Sequence, residues 1–284
     1  MLPISVVIPV YNAEVFIKET IGSVLNQTFN DFELIIVDDM STDQSKDIIL
    51  SYNDPRIRYI LCKHDFIETH RKGYRLATGK YIAHLDHDDI MTTERLRIQF
   101  DFMESHPDID ACGGYMSSFG KETRLMTTDF FTHDDMTMLM ILGMPSYNSS
   151  GFFKREFLIK NKIWHKRGYS YAADFKFWTD IAKIGKLANI PEVLTHYRTS
   201  DKQTSFVYQL KLQKGSYVIQ GEMVDFFLSK LDANSEIEKI ISMKLHPSIK
   251  EIIEQGFLSL DKYFRFMYDL IRELKLKNKI VIKV

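Results

Sequence analysis

The stretch YIAHLDHDDI, residues 81–90, sets a short apolar run against a cluster of acids. Tyr81, Ile82, Ala83 and Leu85 have the composition of a buried strand, and Asp86, Asp88 and Asp89 follow it with His87 among them. One or two acids after a strand are ordinary turn residues, because an aspartate side chain bonds nearby backbone and tolerates unusual dihedrals. Three within four positions repel one another. A hard divalent cation such as Mg²⁺ or Mn²⁺ relieves that repulsion, since it takes carboxylate oxygens and keeps water or phosphates as remaining ligands. The local pattern alone reads equally well as a turn and as a cation site.

Upstream of this stretch, apolar runs alternate with helical patterns, the signature of a mostly parallel sheet with crossover helices. Strands are expected at 4–8, 33–37, 57–61 and 80–84, and helices at 13–26, 43–51 and 68–78. In the first helix Val15, Phe16, Ile21, Val24 and Leu25 form a stripe that reads as core. Ligands of an open parallel sheet collect beyond the carboxyl ends of its strands, where helix N-termini point their amides outward. PVYN after the first strand, DDMSTD after the second and DHDD after the fourth would therefore meet along one edge. From about residue 107 the elements shorten: Gly113 and Gly114 read as a turn, and Pro145 as a break. Ala173 to Gly185 reads as a helix with Phe177, Trp178, Ile181 and Ile184 inward and Gly185 as its C-cap.

The whole chain sets further bounds. At 284 residues, 45% apolar and 26% charged, it is an ordinary globular protein, and a formal charge of −1 offers no global attraction for nucleic acid. Two cysteines, Cys62 and Cys112, are too few for a disulfide framework or a cysteine-based zinc site, which suits a reducing cytosol. The opening MLPISVVIPVYN reads as a strand rather than a signal peptide, and no apolar run approaches the ~18 residues of a spanning helix.

The blocks VVIPVYN, IIVDDMSTD, ATGKYIAHLDHDD, ERLRIQFDFMESHPDIDACGG, YAADFKFWTDIAKIGKLANIPEVLTHYR and KQTS occur in an order that resembles the inverting GT-A glycosyltransferases of family 2. The likeness is strongest to bacterial members that build surface polysaccharide or lipooligosaccharide, and covers roughly the first 205 residues. It implies a GT-A fold: a Rossmann-like α/β domain with a mostly parallel central sheet and flanking helices, here followed by a C-terminal helical extension. It also implies a nucleotide-sugar donor, with UDP the nucleotide, a divalent cation (Mn or Mg), a glycan or lipid-linked saccharide acceptor, and one-step displacement with inversion.

Carried onto this sequence, the resemblance makes Asp86 and Asp88 the DxD pair, Asp86 facing the ribose and Asp88 the metal, with Asp86 and His196 as further metal ligands. Asp38 and Asp39 match the base-binding acids, and Pro9, Val10 and Tyr11 would line the same pocket. An ionised acceptor suits the imide N–H of a uracil. Asp174 matches the general base, with a helix N-terminal acid as the plain alternative. Arg71 and Arg198 are candidate phosphate contacts, although a buried ion pair would look the same in sequence. His87 is expected to be turned away by strand alternation, and Asp89 to cap the next helix.

Two departures stand out. The acid usually preceding the base is Ala173, and Ser200 stands where relatives carry a metal-shell histidine. They motivate a rival reading, a catalytically degenerate GT-A domain that binds nucleotides or acts as a scaffold. A nucleotidyltransferase is the weaker third reading, because PVYNAEVF lacks a glycine-rich loop with a basic residue.

The catalytic domain is expected over residues 1–206 and a helical segment over 207–284. Residues 261–284 carry seven basic against three acidic side chains, which suits an amphipathic helix at an anionic membrane, a contact with a second copy, or a helix packed on the catalytic domain. A cytoplasmic location, with the inner face of the cell membrane as a further site of action, follows from these features.

Overall fold

The computed structural model describes residues 2–169, 171–201, 203–230 and 257–276. Its centre is β1 (Ile4–Val10), whose seven residues are all buried. A strand covered on both faces has no polar side to alternate with, so ISVVIPV reads as a nearly continuous apolar run. β2 (Phe32–Asp38), β3 (Ile57–Leu61) and β4 (Tyr81–His84) join it through α1 (Ile17–Leu25), α2 (Ser45–Leu50) and α3 (Phe66–Leu76). These strands and helices agree with the sequence reading to within a few residues at each end. One helix face differs: Val15 is 75% exposed, and Ile17, Thr20, Ile21 and Val24 are the residues that α1 buries.

Beyond β4 come β5 (Ile90–Met91), α4 (Arg95–Ser105), β6 (Ala111–Gly120), β7 (Leu125–Met126) and α5 (His133–Leu139). A 3₁₀ turn at Asn148–Ser150, β8 (Phe152–Lys154), α6 (Arg155–Lys160), α7 (Ala173–Ala182) and β9 (Leu187–Thr199) follow, then α8 (Thr204–Val207), α9 (Gln209–Leu228) and α10 (Phe257–Leu276). The sheet runs β3-β2-β1-β4-β8-β6-β9-β5, with β7 on the side of β6. β3, β2, β1 and β4 are mutually parallel, β8 is antiparallel to β4 and β6, and β9 is parallel to β6. The chain leaves β1 toward β2 and β3, then returns to its other side at β4. That reversal opens a crevice at the carboxyl ends of β1 and β4, the usual ligand position in an open α/β sheet.

Two glycine readings change. Gly113 and Gly114 lie inside β6 rather than in a turn. A Cβ at Gly113 would stand 1.8 Å from Oγ of Ser146, and one at Gly114 2.4 Å from Cδ1 of Leu194, so close packing across the strand requires both. Gly185 lies beyond the C-cap of α7, Lys183, and a Cβ there would meet the Phe157 ring at 2.4 Å. Ile184, expected inward, is 50% exposed.

Tyr217, Ile219, Met223, Val224 and Phe227 of α9, and Leu260, Phe264, Met267 and Ile271 of α10, belong to the same apolar cluster as Phe177 and Trp178 of α7. The final basic residues, Lys277, Lys279 and Lys283, lie outside the described residues. No helix among the described residues is long and apolar enough to cross a membrane.

Candidate active site

A cavity of about 300 Å³ opens at the carboxyl ends of the parallel strands. Pro9, Val10 and Tyr11 from the end of β1, Asp39 after β2, Asp86, His87 and Asp88 after β4, and Asp174 in the first turn of α7 line it. Phe66, Thr69 and His70 of α3, together with Tyr171, Tyr197, Gln203 and Leu212, complete the wall. Three loops far apart in sequence therefore converge on one space.

At the β2 tip the two acids divide their work. Asp38 is 1% exposed; its carboxylate accepts from the Ser41 amide at 2.8 Å and from the Tyr59 hydroxyl at 2.6 Å, which folds the loop. Asp39 faces the cavity. Its Oδ1 accepts from the Asp65 amide at 2.6 Å and the Thr69 hydroxyl at 2.7 Å, and Oδ2 lies 3.2 Å from Nδ1 of His64. The His64 ring packs on Tyr11 at 4.6 Å between centroids. Of the two candidate base-binding acids, Asp38 spends its oxygens inside the protein.

At the β4 tip the charge is less well matched. Burial pushes the Asp88 carboxyl above its usual range and the neighbouring Asp86 charge adds to this, against an opposing pull from His87. Asp89 is fully buried and driven well above that range by burial and by the charges of Asp86 and Asp88. Its Oδ1 accepts from the Arg198 amide at 2.9 Å, so it pins β9 to the acidic turn. The cap role fails because β5 intervenes and α4 begins only at Arg95. His87 was expected to face away, but strand alternation ends at His84, and in the turn beyond it His87 lines the cavity.

The candidate cations lie behind the wall. Arg198 donates from Nε to the Asp88 carbonyl at 2.8 Å, pairs with Glu19 at 2.5 Å and sits over the rings of Phe16 and Phe119. Arg71 donates to the His165 carbonyl at 2.7 Å. Neither is among the residues lining the cavity, and both act as braces in this structure. His196 shares a 2.6 Å hydrogen bond with the Ser117 hydroxyl in β6 and is likewise absent from the wall. Ser200 donates its amide to Gln203, whose side chain in turn donates to the Arg198 carbonyl and reaches the cavity.

Three buried histidines complete the geometry, and single-sequence reasoning gave them no role. His84 stands 3.1 Å from Asp86, and His165 stands 3.0 Å from Asp174. His70 lies between them, its ring centroid 5.4 Å from that of His84 and 4.6 Å from that of His165. Burial, followed by the charge of His165, lowers His70 to about 3, so it is neutral at physiological pH. Arg95, also fully buried, donates to the carbonyls of Ser149 and His84 at 2.6 and 2.8 Å and fixes the end of β4 against its neighbours.

The profile described as Glycosyl transferase family 2 matches residues 5–177. The chain belongs to glycosyl transferase family 2. This glycosyltransferase is 29% identical over 313 aligned positions to a Haemophilus influenzae protein described as an uncharacterized glycosyltransferase, covering 99% of this chain and 97% of that one. Among solved structures it superposes on S. aureus TarS 1–349 in complex with UDP-GlcNAc with a TM-score of 0.66 at 17% identity, covering 98% and 92% of the two chains. It also superposes on the Pyrobaculum calidifontis mannosyltransferase PcManGT, in complex with GDP-Man and Mn²⁺, with a TM-score of 0.55 at 14% identity and coverage of 94% and 86%. The shared architecture is the GT-A fold.

Proposed function

We propose that this chain transfers a glycosyl unit from a UDP-sugar to a hydroxyl of a glycan or lipid-linked saccharide, with inversion and with Asp174 as general base. The observation that carries the reading is the convergence of Asp39, Asp86, Asp88 and Asp174 on one cavity. TarS, of the same fold, is recorded with UDP-GlcNAc, which favours UDP as the nucleotide. Asp39 accepts the imide hydrogen of the base, and Pro9, Val10 and Tyr11 flank the ring.

The donor set at the β4 tip fits a hard cation. Asp86 and Asp88 offer carboxylate oxygens, and Arg198 reaches the Asp88 carbonyl rather than its carboxylate. Bound there, Mn²⁺ or Mg²⁺ would stabilise the negative charge that develops on the departing diphosphate. His196 is held by Ser117, so Asp86 and Asp88 are the protein ligands we assign.

A second cavity of about 600 Å³ shares Asp86, Asp174, Tyr197 and Gln203 with the first and extends past Met116, Arg124 and Tyr147. An acceptor entering from that side meets Asp174 before it meets the donor. An inverting displacement needs this, because the base must take the acceptor proton on the face opposite the leaving group.

The test is Asp174→Asn. Transfer should fall by roughly 10²-fold or more while UDP and Mn²⁺ still raise the melting temperature. Nucleotide binding by the unaltered protein with no turnover on any acceptor would instead establish the scaffold reading that Ala173 and Ser200 suggested.

A further inference from the structure

We propose that His165 is a positioning residue for the base: its imidazole holds the Asp174 carboxylate at the junction of the two cavities. The proposal rests on Asp174 being the base, as argued above, and adds the group that aims it.

The geometry is specific. Nε2 of His165 lies 3.0 Å from Oδ1 of Asp174. An ionised carboxylate can only accept, so the imidazole donates from Nε2. Its ring stacks on Phe177 at 4.5 Å with an interplanar angle of 9°, which fixes the plane of the N–H. Arg71 holds the backbone of the same residue through the His165 carbonyl. The histidine is thus clamped by its ring and by its main chain.

Other groups frame the carboxylate. His70 and Tyr74 face it from α3, and His84 and Asp86 from β4 and its turn. Nδ1 of His70 lies 2.8 Å from the Phe66 carbonyl, so that nitrogen carries the hydrogen and Nε2 keeps its lone pair. The ligand atoms of His70, His165 and Asp174 all lie within 4.8 Å of one another, yet His165 is the one at hydrogen-bond distance from the acid. His84 is committed to Asp86.

This arrangement sets the charge state as well as the direction of the base. Burial pushes the Asp174 carboxyl up, but the hydrogen bond from His165 leads the influences that outweigh it and bring the group down to about 2. Asp174 is therefore ionised at physiological pH. Without His165 the burial contribution is less opposed, and the group should titrate above its present position.

The experiment measures kcat and KM against pH for His165→Phe and His165→Gln, with Asp174→Asn alongside. Phenylalanine keeps the stack on Phe177 and deletes the donor; glutamine keeps a donor. His165→Phe should lose at least about tenfold in kcat with the donor KM within about threefold, and the acid limb of kcat/KM should move up by about one pH unit or more. His165→Gln should recover most of both. UDP with Mn²⁺ raising the melting temperature of each variant identifies folded protein. An unchanged profile and kcat in His165→Phe would overturn the proposal, as would His165→Gln falling as far as phenylalanine; if the phenylalanine variant does not fold, the glutamine result decides. Full activity in Asp174→Asn would remove the base assignment itself, a different failure with a different variant.

Discussion

The tips of β2 and β4 both present adjacent acids to one cavity, and in each an inward neighbour is used for construction. They differ in what their charges meet. At the β2 tip, Asp38 and Asp39 receive amide and hydroxyl hydrogens from Ser41, Tyr59, Asp65 and Thr69, so the loop is complete before any ligand arrives. At the β4 tip, Asp88 and Asp89 are pushed up by burial and by neighbouring charge, while His84 holds Asp86 down against its burial. A rim whose acids are already hydrogen-bonded suits recognition of a neutral N–H. A rim whose Asp88 is raised by burial and by a like charge suits a cation, whose charge favours the ionised form.

The sharpest way to break this comparison is to neutralise Asp88. Asp88→Asn should reduce transfer by about 10²-fold or more, because charge on the leaving group would lose its counter-charge. The same variant should bind UDP equally with and without Mn²⁺ in a calorimetric titration. Retained Mn²⁺ dependence would mean that the β4 tip is not the cation site and that the two rims differ only in geometry.

A middle-sized effect is expected at Asp39. Asp39→Asn keeps an oxygen for the Asp65 amide and the Thr69 hydroxyl but puts an amide NH₂ in place of Oδ2, which lies 3.2 Å from Nδ1 of His64. Hydrogen bonds to charged groups contribute about 1.5–3 kcal/mol, so UDP affinity should fall by about tenfold or more, and a base offering an acceptor at that edge should gain relative to uracil. The Mn²⁺ dependence of whatever binding remains should be intact. An effect confined to the Mn²⁺-bound state would merge the two rims into one.

These two rims also explain what was legible in the sequence. The parallel half could be read because β1 and β2 are covered on both faces and their apolar runs have few other uses. Convergence of PVYN, DDMSTD and DHDD on one edge followed from the strand-end rule alone, and the cavity joins all three. Partners across the fold were not legible. Arg198 had equal claims as a phosphate contact and as an ion-pair member, and only the Glu19 carboxylate and the Phe16 and Phe119 rings, far from it in sequence, give it the second role here. His165 lies in IWHKRGY, a segment with no periodicity, and nothing local announces that Asp174 lies 3.0 Å away. Gly113 and Gly114 failed for the same reason: the side chains that exclude a Cβ there belong to Ser146 and Leu194.

The smallest functional effect is expected at Tyr59, where the two jobs of the β2 acids can be separated. Tyr59→Phe removes the hydroxyl that donates to Oδ2 of Asp38 at 2.6 Å and leaves a buried carboxylate one donor short. Losing a hydrogen bond to a buried charged group should cost about 2 kcal/mol. For a protein of this size that lowers the melting temperature by about 5 °C. Asp39 keeps its own donors in this variant, since the Asp65 amide and the Thr69 hydroxyl both belong to the α3 side of the loop. UDP affinity should therefore stay within about threefold, and a loss matching that of Asp39→Asn would show that Asp38 shapes the base pocket directly.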